Sequence, residues 1–283
     1  MRRIRFNDRE ILTTGLHRRV WQDLFHYCMT VSWPVLFISL AIAFLVFNFI
    51  FATIYTAIPG GIANLNPTGF AGAFFFSVET LATVGYGDMH PESLLGHTVA
   101  SVEIFVGMMS MALVTGVMFA RFSRPTARFL FSRVGVIRPM HGKPVLMFRA
   151  ANARQNIIME ASARLRLIRS TVTVEGYRLR QIDDLILMRS EHPLFVFGWN
   201  LMHIIDEKSP LFGATAESLE SAGAIINLTL SGTDETTGQE LMARHAYSAK
   251  SIHWNHTFRD IISMTQEGLD QFDYSKFHDV EPL

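Results

Sequence analysis

Positive charge is missing from a long stretch of this sequence: no Lys or Arg occurs between Val20 and Ala120. Six Arg precede that stretch, and five follow it between Arg121 and Arg138. Such a pattern is typical of a membrane region whose flanks stay in the cytoplasm. Over the whole chain, 25 basic residues balance 25 acidic ones, so the composition gives no reason to expect a nucleic-acid partner.

Cysteine is scarce as well. Cys28 is the only one among 283 residues, so no disulfide can form within a chain and the soluble parts need no oxidising compartment. We interpret Cys28 as an apolar filler. The basic N-terminus is followed by polar residues rather than by the apolar core of a secretory signal, so the first membrane helix is expected to act as its own insertion signal.

The stretch without positive charge contains two long apolar segments. Residues 35–57 and 94–120 are each long enough to cross a bilayer as helices. Between them, residues 71–82 form an apolar helix that is too short to cross. Because both Arg-rich flanks belong in the cytoplasm, the connection lies outside and its short helix dips back into the membrane. Irregular backbone at that depth needs a surrounding of protein or water, so the sequence predicts a pore.

An amphipathic pattern precedes the first membrane helix. Apolar residues recur there at helical spacing, with polar residues on the other faces, and Pro34 is expected to end the helix. The apolar positions are Val20, Trp21, Leu24, Phe25, Cys28 and Val31. The pattern indicates a helix lying at the membrane interface or one packed on protein, and both interpretations can hold together.

The sequence changes character after Pro125. Short segments of β-branched and aromatic residues are separated by Gly, Pro, Asp and Ser, which is typical of a β-sandwich. The expected strands include residues 145–149, 163–168, 171–179, 194–199 and 224–230. The expected domains are a cytoplasmic N-terminus with the interfacial helix over 1–34, a membrane pore domain over 35–121 and a cytoplasmic β-sandwich over 122–283.

The connection between the membrane helices carries the run Thr83-Val84-Gly85-Tyr86-Gly87. A cation that crosses a membrane must exchange its water for other oxygens, and a ring of backbone carbonyls from four chains supplies them. The two glycines reach backbone conformations that a Cβ would penalise, and the Thr83 hydroxyl adds an oxygen at the inner end. Val84 and Tyr86 can point away and pack behind the pore. The preceding helix aims its partly negative C-terminal end at a cation.

These five residues, followed by Asp88, match the potassium-channel signature, and the soluble half resembles the inward-rectifier potassium channels. The segment LMFRAANAR at 146–154 is similar to that family's first cytoplasmic strand, and HIIDEKSPL at 203–211 is similar to its conserved turn. The resemblance covers about residues 18–280, and the short termini favour the bacterial branch.

The resemblance implies a homotetramer in the cell inner membrane with both termini cytoplasmic. Each subunit would have two membrane helices, a re-entrant pore helix and a cytoplasmic immunoglobulin-like β-sandwich that gates the pore. K⁺ ions would bind at Thr83, Val84, Gly85 and Tyr86, and no other cofactor is implied.

The same resemblance assigns roles to the second membrane helix. Phe119 matches the position where four helices converge as a gate, and a ring of Phe side chains can close a narrow pore by excluding water. Gly107 falls at a proposed hinge and Gly116 lies further along; bending and close packing are both compatible with these glycines. Met111 stands where strong rectifiers have an acid that holds Mg²⁺ or polyamines, so these candidate blockers should act weakly and intrinsic rectification should be weak.

Three acids in the membrane region need partners. Glu79 and Asp88 resemble an arrangement in simpler potassium channels, where two carboxyl groups share a proton or a water behind the filter. Two nearby carboxylates resist double ionisation, so one of them should hold a proton; the alternative is that Glu79 bonds only to backbone or water. The eukaryotic pairing of this pore-helix acid with an Arg cannot form, because that position is Met89. Glu103 should face protein or water, either against the pore helix or along the cavity.

Basic residues at the cytoplasmic flanks suggest anionic lipid as a partner. Arg121 and Arg124 match two positions that bind phosphoinositides in eukaryotic members, and Arg18 and Arg19 could join them. Each basic residue near an anionic surface contributes about 1 kcal/mol. The alternative is that these arginines only fix the topology.

Other functions find less support. His245, His253 and His256 invite a metal site, but no Cys or clustered carboxylate completes a ligand set. No phosphate-binding glycine loop points to an enzyme. A nonselective cation channel, or a sensor with a pore that conducts nothing, would keep the same architecture and differ only in ion flux.

Overall fold

The computed structural model of the chain describes residues 2–6, 9–13, 24–154, 156–265 and 267–283. They form two compact units, one ending at Arg124 and the other running from Pro125 to Leu283. The predictions made for Arg18, Arg19, Val20 and Trp21 fall outside the described residues.

The first unit is built around two long helices. Its helices are α1 (Leu24–Thr30), α2 (Trp33–Thr56), α3 (Phe70–Leu81) and α4 (Leu94–Phe122). Its strands are β1 (Arg2–Phe6), which pairs with β2 (Arg9–Thr13), and β3 (Ile62–Ala63), which pairs with β4 (His90–Pro91). With 24 and 29 residues, α2 and α4 are long and apolar enough to cross a membrane, whereas the 12 residues of α3 are too few. The two predicted spans and the short helix between them are confirmed.

The junction between α1 and α2 differs from the expectation for Pro34. Helix α1 ends at Thr30, Ser32 is the N-cap of α2, and Pro34 lies in the first turn of α2. Proline is tolerated there because the first N–H groups of a helix have no partner within it. The prediction that Pro34 ends the preceding helix is therefore wrong.

Helix α3 packs against both long helices. A buried cluster joins Phe51 and Tyr55 of α2 to Phe76 and Leu81 of α3, and the rings of Tyr55 and Phe76 meet edge to face at 5.0 Å. At the ends of the re-entrant segment, Ile62 of β3 pairs with Pro91 of β4. The segment is thus held at its helix by packing and at both ends by strand pairing.

The second unit is a β-sandwich, as predicted. Its elements are β5 (Phe129–Phe131), β6 (Gly135–Met140), β7 (Lys143–Asn152), β8 (Ile158–Val172), β9 (Arg178–Leu185), β10 (Glu191–Phe195), β11 (Gly198–Ile204), α5 (Ala216–Ser221), β12 (Ile225–Asp234), β13 (Glu240–Ser248), β14 (Ile252–Trp254), β15 (His256–Phe258), β16 (Ile262–Met264), β17 (Asp270–Phe272) and β18 (Val280–Pro282). One five-stranded sheet has the order β10-β8-β12-β13, with β9 also paired to β8; the other has the order β11-β7-β6-β14, with β5 also paired to β7. Strands β15 and β18, and β16 and β17, form two short pairs.

Alternating burial along the strands explains the sandwich. From Ala161 to Leu167 in β8 and from Ile226 to Asp234 in β12 every second residue is buried, as expected for strands with one face on a core. Leu165, Leu228, Phe148 and Trp199 are all buried and come from both sheets, so the two inner faces share one apolar core.

Two of the predicted strands are wrong as continuous elements. Residues 171–179 contain a hairpin turn between β8 and β9, closed by a hydrogen bond from Thr173 N–H to Tyr177 O (2.9 Å) and passing through Gly176 at φ 87°. Residues 194–199 cross from one sheet to the other between Phe195 and Gly198. The buried aromatic residues at both ends of that crossing make it look like one strand in the sequence.

Candidate functional site

The segment 83–87 begins directly at the C-terminal end of α3. Thr83 N–H donates to Thr80 O (3.0 Å), Val84 N–H to Glu79 O (2.8 Å) and Gly85 N–H also to Glu79 O (3.3 Å). The last carbonyls of a helix have no partner within it, so they are free to accept these bonds. The last turn of α3 therefore fixes the start of the segment through main-chain bonds.

The backbone of this segment alternates in conformation. Thr83 has φ 56°, Gly85 φ 56° and Gly87 φ 88°, whereas Val84 and Tyr86 have negative φ. Alternation of this kind turns consecutive peptide groups the same way, so that a row of like atoms faces one side. A row of carbonyl oxygens is what the dehydration of a cation needs. Thr83 shares the left-handed conformation expected only of the glycines, at a cost of order 1 kcal/mol or more.

The outer end of the segment is also held by main-chain oxygens. Asp88 O accepts a hydrogen bond from Asn64 Nδ2 (3.1 Å) and lies 3.3 Å from His90 Nδ1. Among the residues that the structure describes, no hydrogen bond joins the carboxyl groups of Glu79 and Asp88. The shared proton stays a prediction, and the contact that Glu79 makes with the segment 83–87 runs through its main-chain carbonyl.

Glu103 of α4 lies at the centre of a buried polar cluster. Tyr55 Oη donates to Glu103 Oε2 (2.7 Å), and Ser77 Oγ lies within hydrogen-bond distance of Glu103 Oε1 and 3.0 Å from Asn48 Oδ1. Glu103, Ser77 and Asn48 have no exposed surface. Of the two alternatives for Glu103, the structure gives contact with the pore helix. Sequence reasoning missed Asn48, Tyr55 and Ser77, although Asn48 in an apolar span is itself a signal of a polar partner.

Gly107 and Gly116 differ in their surroundings. A Cβ on Gly107 would stand 2.2 Å from the carbonyl oxygen of Leu81 in α3, whereas a Cβ on Gly116 would have no atom of the described residues within 4 Å beyond the adjacent backbone of its own helix. Helix α4 continues through both positions. Close packing therefore accounts for Gly107, and bending at either glycine stays a prediction.

Arg121 contacts the end of α1. Its Nη1 donates to Cys28 O (2.9 Å), its Nη2 donates to Val31 O (2.6 Å), and its guanidinium lies 4.4 Å from the Trp33 ring centroid. Arg124 makes one longer bond, from Nη1 to Met29 O (3.3 Å). The lipid site predicted for these two arginines stays a prediction, and Arg121 has a role within the chain that the sequence did not reveal.

The comparisons with known proteins agree with this geometry. A family model described as "Inward rectifier potassium channel C-terminal domain" matches residues 129–283, and one described as "Ion channel" matches residues 40–124. The chain is 41% identical over 271 residues to "Inward rectifier potassium channel Kirbac3.1" of Paramagnetospirillum magnetotacticum, covering 95% of this chain and 92% of that one. The chain belongs to the inward rectifier potassium channel family. It is a membrane protein and an ion channel rather than an enzyme.

Eukaryotic relatives in this family are longer than the present chain. "ATP-sensitive inward rectifier potassium channel 12" of Gallus gallus is 32% identical over 284 residues, which cover 92% of this chain and 66% of that protein. "Inward rectifier potassium channel 18" of Homo sapiens is 32% identical over 283 residues, which cover 92% and 65%. The similarity to these channels thus extends over both units of the chain.

Two positions of α4 have exposed side chains in the single chain. The exposed fraction is 73% for Phe119 and 61% for Met111. Neither side chain is needed for packing on α2 or α3, so both are available to face a pore.

The segment HIIDEKSPL at 203–211, in the second unit, begins with a buried histidine. Both ring nitrogens of this histidine make hydrogen bonds. His203 Nδ1 donates to Ile186 O (2.7 Å), so its Nε2 is left to accept from Ser209 Oγ (2.7 Å). Burial lowers the pKa of His203, because removal from water disfavours the charged ring.

The three histidines considered for a metal do not converge. His245 stacks on Phe131, while the rings of His253 and His256 meet edge to face at 5.3 Å. In the part of the chain that the structure describes, no group of three or more potential ligands is close enough to hold a metal.

Proposed function

We propose that four copies of this chain form a membrane pore that conducts K⁺ selectively down its gradient. The observation that carries the proposal is the run from Thr83 to Gly87, with alternating φ and its start bonded to the last turn of a re-entrant helix. A filter made of main-chain oxygens works only as a closed ring, so one chain supplies a quarter of each ion site. K⁺ ions would bind at the level of Thr83, Val84, Gly85 and Tyr86.

Exposed apolar surface supports the assembly. The exposed fraction of Val84 is 52% and that of Tyr86 is 78%, although both should pack behind a filter. Neighbouring copies around a four-fold axis would cover these side chains. We place the homotetramer in the cell inner membrane with both termini cytoplasmic, because the arginines flank the two spans.

We place the gate at Phe119, where a ring of four phenyl groups would exclude water from a narrow pore. Gly107 and Gly116 would permit movement of α4, and Met111 leaves the cavity without an acid. Mg²⁺ and polyamines are therefore weak blockers in this proposal, and intrinsic rectification is weak.

Two regulatory contacts complete the proposal. Glu79 and Asp88 share a proton or water that stiffens the assembled filter. Anionic lipid binds at the cytoplasmic face to four arginines, namely Arg18, Arg19, Arg121 and Arg124. Of the two that the structure describes, Arg124 is the more available to lipid, because its guanidinium makes the longer bond, 3.3 Å to Met29 O.

The test is the reversal potential of purified protein in liposomes or planar bilayers with K⁺ on one side and Na⁺ on the other. A reversal potential close to the K⁺ equilibrium potential is expected. Gly85→Ala is the matched filter variant: its φ of 56° strains an alanine although no atom lies within 4 Å of the added Cβ. Equal permeability to Na⁺ and K⁺ would favour a nonselective channel, and no flux from a correctly assembled tetramer would favour a sensor without conduction.

A further inference from the structure

We infer that Glu103 is a neutral carboxylic acid whose proton is donated to Ser77, and that this bond positions the pore helix beneath the filter. Glu103 is thus a positioning residue and not a charge along the conduction path. The inference goes beyond the proposed function, and only its flux readout rests on that function.

The geometry brings three helices to one point. Asn48 and Tyr55 come from α2, Ser77 from α3 and Glu103 from α4. Tyr55 is 2% exposed and the other three are fully buried. Both carboxyl oxygens of Glu103 face protein hydroxyls, so neither is available to an ion in a cavity.

A count of hydrogens assigns the proton. Asn48 Nδ2 donates to Phe44 O (2.7 Å), which leaves Asn48 Oδ1, an acceptor only, facing Ser77 Oγ. Each of the two oxygen–oxygen contacts of Ser77 Oγ needs a proton, and Asn48 Oδ1 has none to give. The single hydroxyl proton of Ser77 therefore goes to Asn48. Ser77 Oγ and Glu103 Oε1 are then two oxygens in contact, and the proton between them has to come from Glu103.

The remaining bond agrees with that assignment. Tyr55 donates its only hydroxyl proton to Glu103 Oε2, so the acid accepts one bond and donates one. A carboxylate would leave Ser77 facing two acceptors with one proton. It would also place a charge in the membrane region with no Lys or Arg between Val20 and Ala120 to pair with it.

The hydrogen bond between Glu103 and Ser77 joins α4 to α3, the helix that leads into the filter. One turn after Glu103, Gly107 lies directly against Leu81 O, so α4 contacts α3 at two successive turns. Leu81 is two residues before Thr83, and the Glu79 carbonyl that holds Val84 and Gly85 belongs to the same last turn. A negative charge on Glu103 would add to the partly negative C-terminal end of α3, which a neutral acid avoids.

Glu103→Gln is the decisive variant, because its Nε2 can donate to Ser77 and its Oε1 can accept from Tyr55. The two measurements that need no conduction are the infrared carbonyl band of protonated carboxylic acids at neutral pH and the unfolding temperature of the detergent-solubilised tetramer. We expect Glu103→Gln to remove an infrared band and to keep the unfolding temperature. Glu79→Gln is the control, since it alters another acid of the pore region and must leave the Glu103 band in place.

Glu103→Ala and Ser77→Ala break the cluster and should lower the unfolding temperature. In liposomes, they should also cause a loss of K⁺/Na⁺ selectivity, because the helix that leads into the filter would lose a buried hydrogen bond. Glu103→Gln should keep the parent selectivity.

The inference is overturned if Glu103→Gln removes no protonated-acid band, if it fails to assemble, or if it is as damaging as Glu103→Ala. Absence of K⁺ selectivity in the parent protein would contradict the proposed function while leaving the infrared and unfolding results to decide on Glu103.

Discussion

At the residue scale, some positions of the first unit are packed so closely that one added methyl group does not fit. Gly107 is the sharpest case, since a Cβ there would overlap the carbonyl of Leu81 at 2.2 Å, whereas Gly116 in the same helix has free space around it. The two glycines look alike in the sequence. Their different surroundings give Gly107 a packing role within the chain that Gly116 lacks.

We predict opposite effects for alanine at these two positions. Gly107→Ala should destabilise the tetramer by roughly 1 to 3 kcal/mol, as overpacking in a dense core does, and should reduce K⁺ flux. Gly116→Ala should be neutral or stabilise by up to about 1 kcal/mol, because alanine favours a helix more than glycine does. Thermal unfolding in detergent measures both, and equal effects would refute the packing role of Gly107.

His203 gives a prediction on pH. Its pKa is lowered in the folded domain by burial, so the unfolded chain binds a proton first as pH falls. Stability is therefore complete well above pH ~6.5, the ordinary histidine pKa, and is lost as pH falls from there toward the folded value. We expect a falling unfolding temperature between pH 8 and 5.

The matched variant for this effect is His203→Asn. Its unfolding temperature should depend less steeply on pH, although burial also lowers the pKa of His192, His245 and His278, so part of the slope should remain. A variant with the full parent slope would show that His203 does not contribute.

At the element scale, α4 is linked to α1 through one side chain. The guanidinium of Arg121 binds the carbonyls of Cys28 and Val31 and lies over the Trp33 ring. A cation is favoured at the C-terminal end of a helix, where carbonyls lack partners. Helix α1 is thus fastened to the C-terminal end of α4 by a residue that the sequence suggested for lipid.

We predict that Arg121→Ala will release α1. Because Cys28 is the only cysteine, its rate of maleimide labelling reports on α1 without further engineering. Arg121→Ala should raise that rate several-fold, and Arg121→Lys should give an intermediate rate because an ammonium lacks the planar fork.

Arg124→Ala serves as the control, since the contact of the Arg124 side chain with α1, among the described residues, is the 3.3 Å bond to Met29 O. Its labelling rate should stay near that of the parent. If both alanine variants label alike, the contact of Arg121 with α1 is not what restrains the helix.

At the scale of the whole molecule, the proposed tetramer determines which exposed side chains of α4 would face the pore. Met111 and Phe119 are exposed in one chain and would face one another across a four-fold axis in the proposed tetramer. A change at such a position is repeated four times, so a single substitution alters the cavity strongly.

Met111→Asp should therefore increase block by spermine, by about tenfold or more in apparent affinity, because four acids attract a polycation in a narrow cavity. Met111→Asn is the control of equal size without charge and should be blocked like the parent. Recordings at several spermine concentrations measure the effect, and equal block in all three forms would mean that position 111 does not face the pore.

The sequence by itself determined the features that depend on neighbouring residues. Long apolar stretches located α2 and α4, the segment length ruled out a third span, and the run from Thr83 to Gly87 predicted the filter of the proposed channel. These are local properties, because helix length, hydropathy and the conformations open to glycine are set within a few residues. Strands of the second unit were predicted from short β-branched and aromatic segments, but the crossing after Phe195 was not, since aromatic residues on both sides of the break are buried in the same core.

Only the tertiary structure decided which polar groups meet. Tyr55 and Ser77 reach Glu103 from 48 and 26 positions away, and Arg121 reaches Cys28 from 93. A buried polar atom must find a partner wherever packing supplies one, so the sequence can say that Glu103 needs a partner but not which one. The residue type shows that a buried carboxyl group needs hydrogen-bond partners, and the packing of the three helices determines which partners it meets.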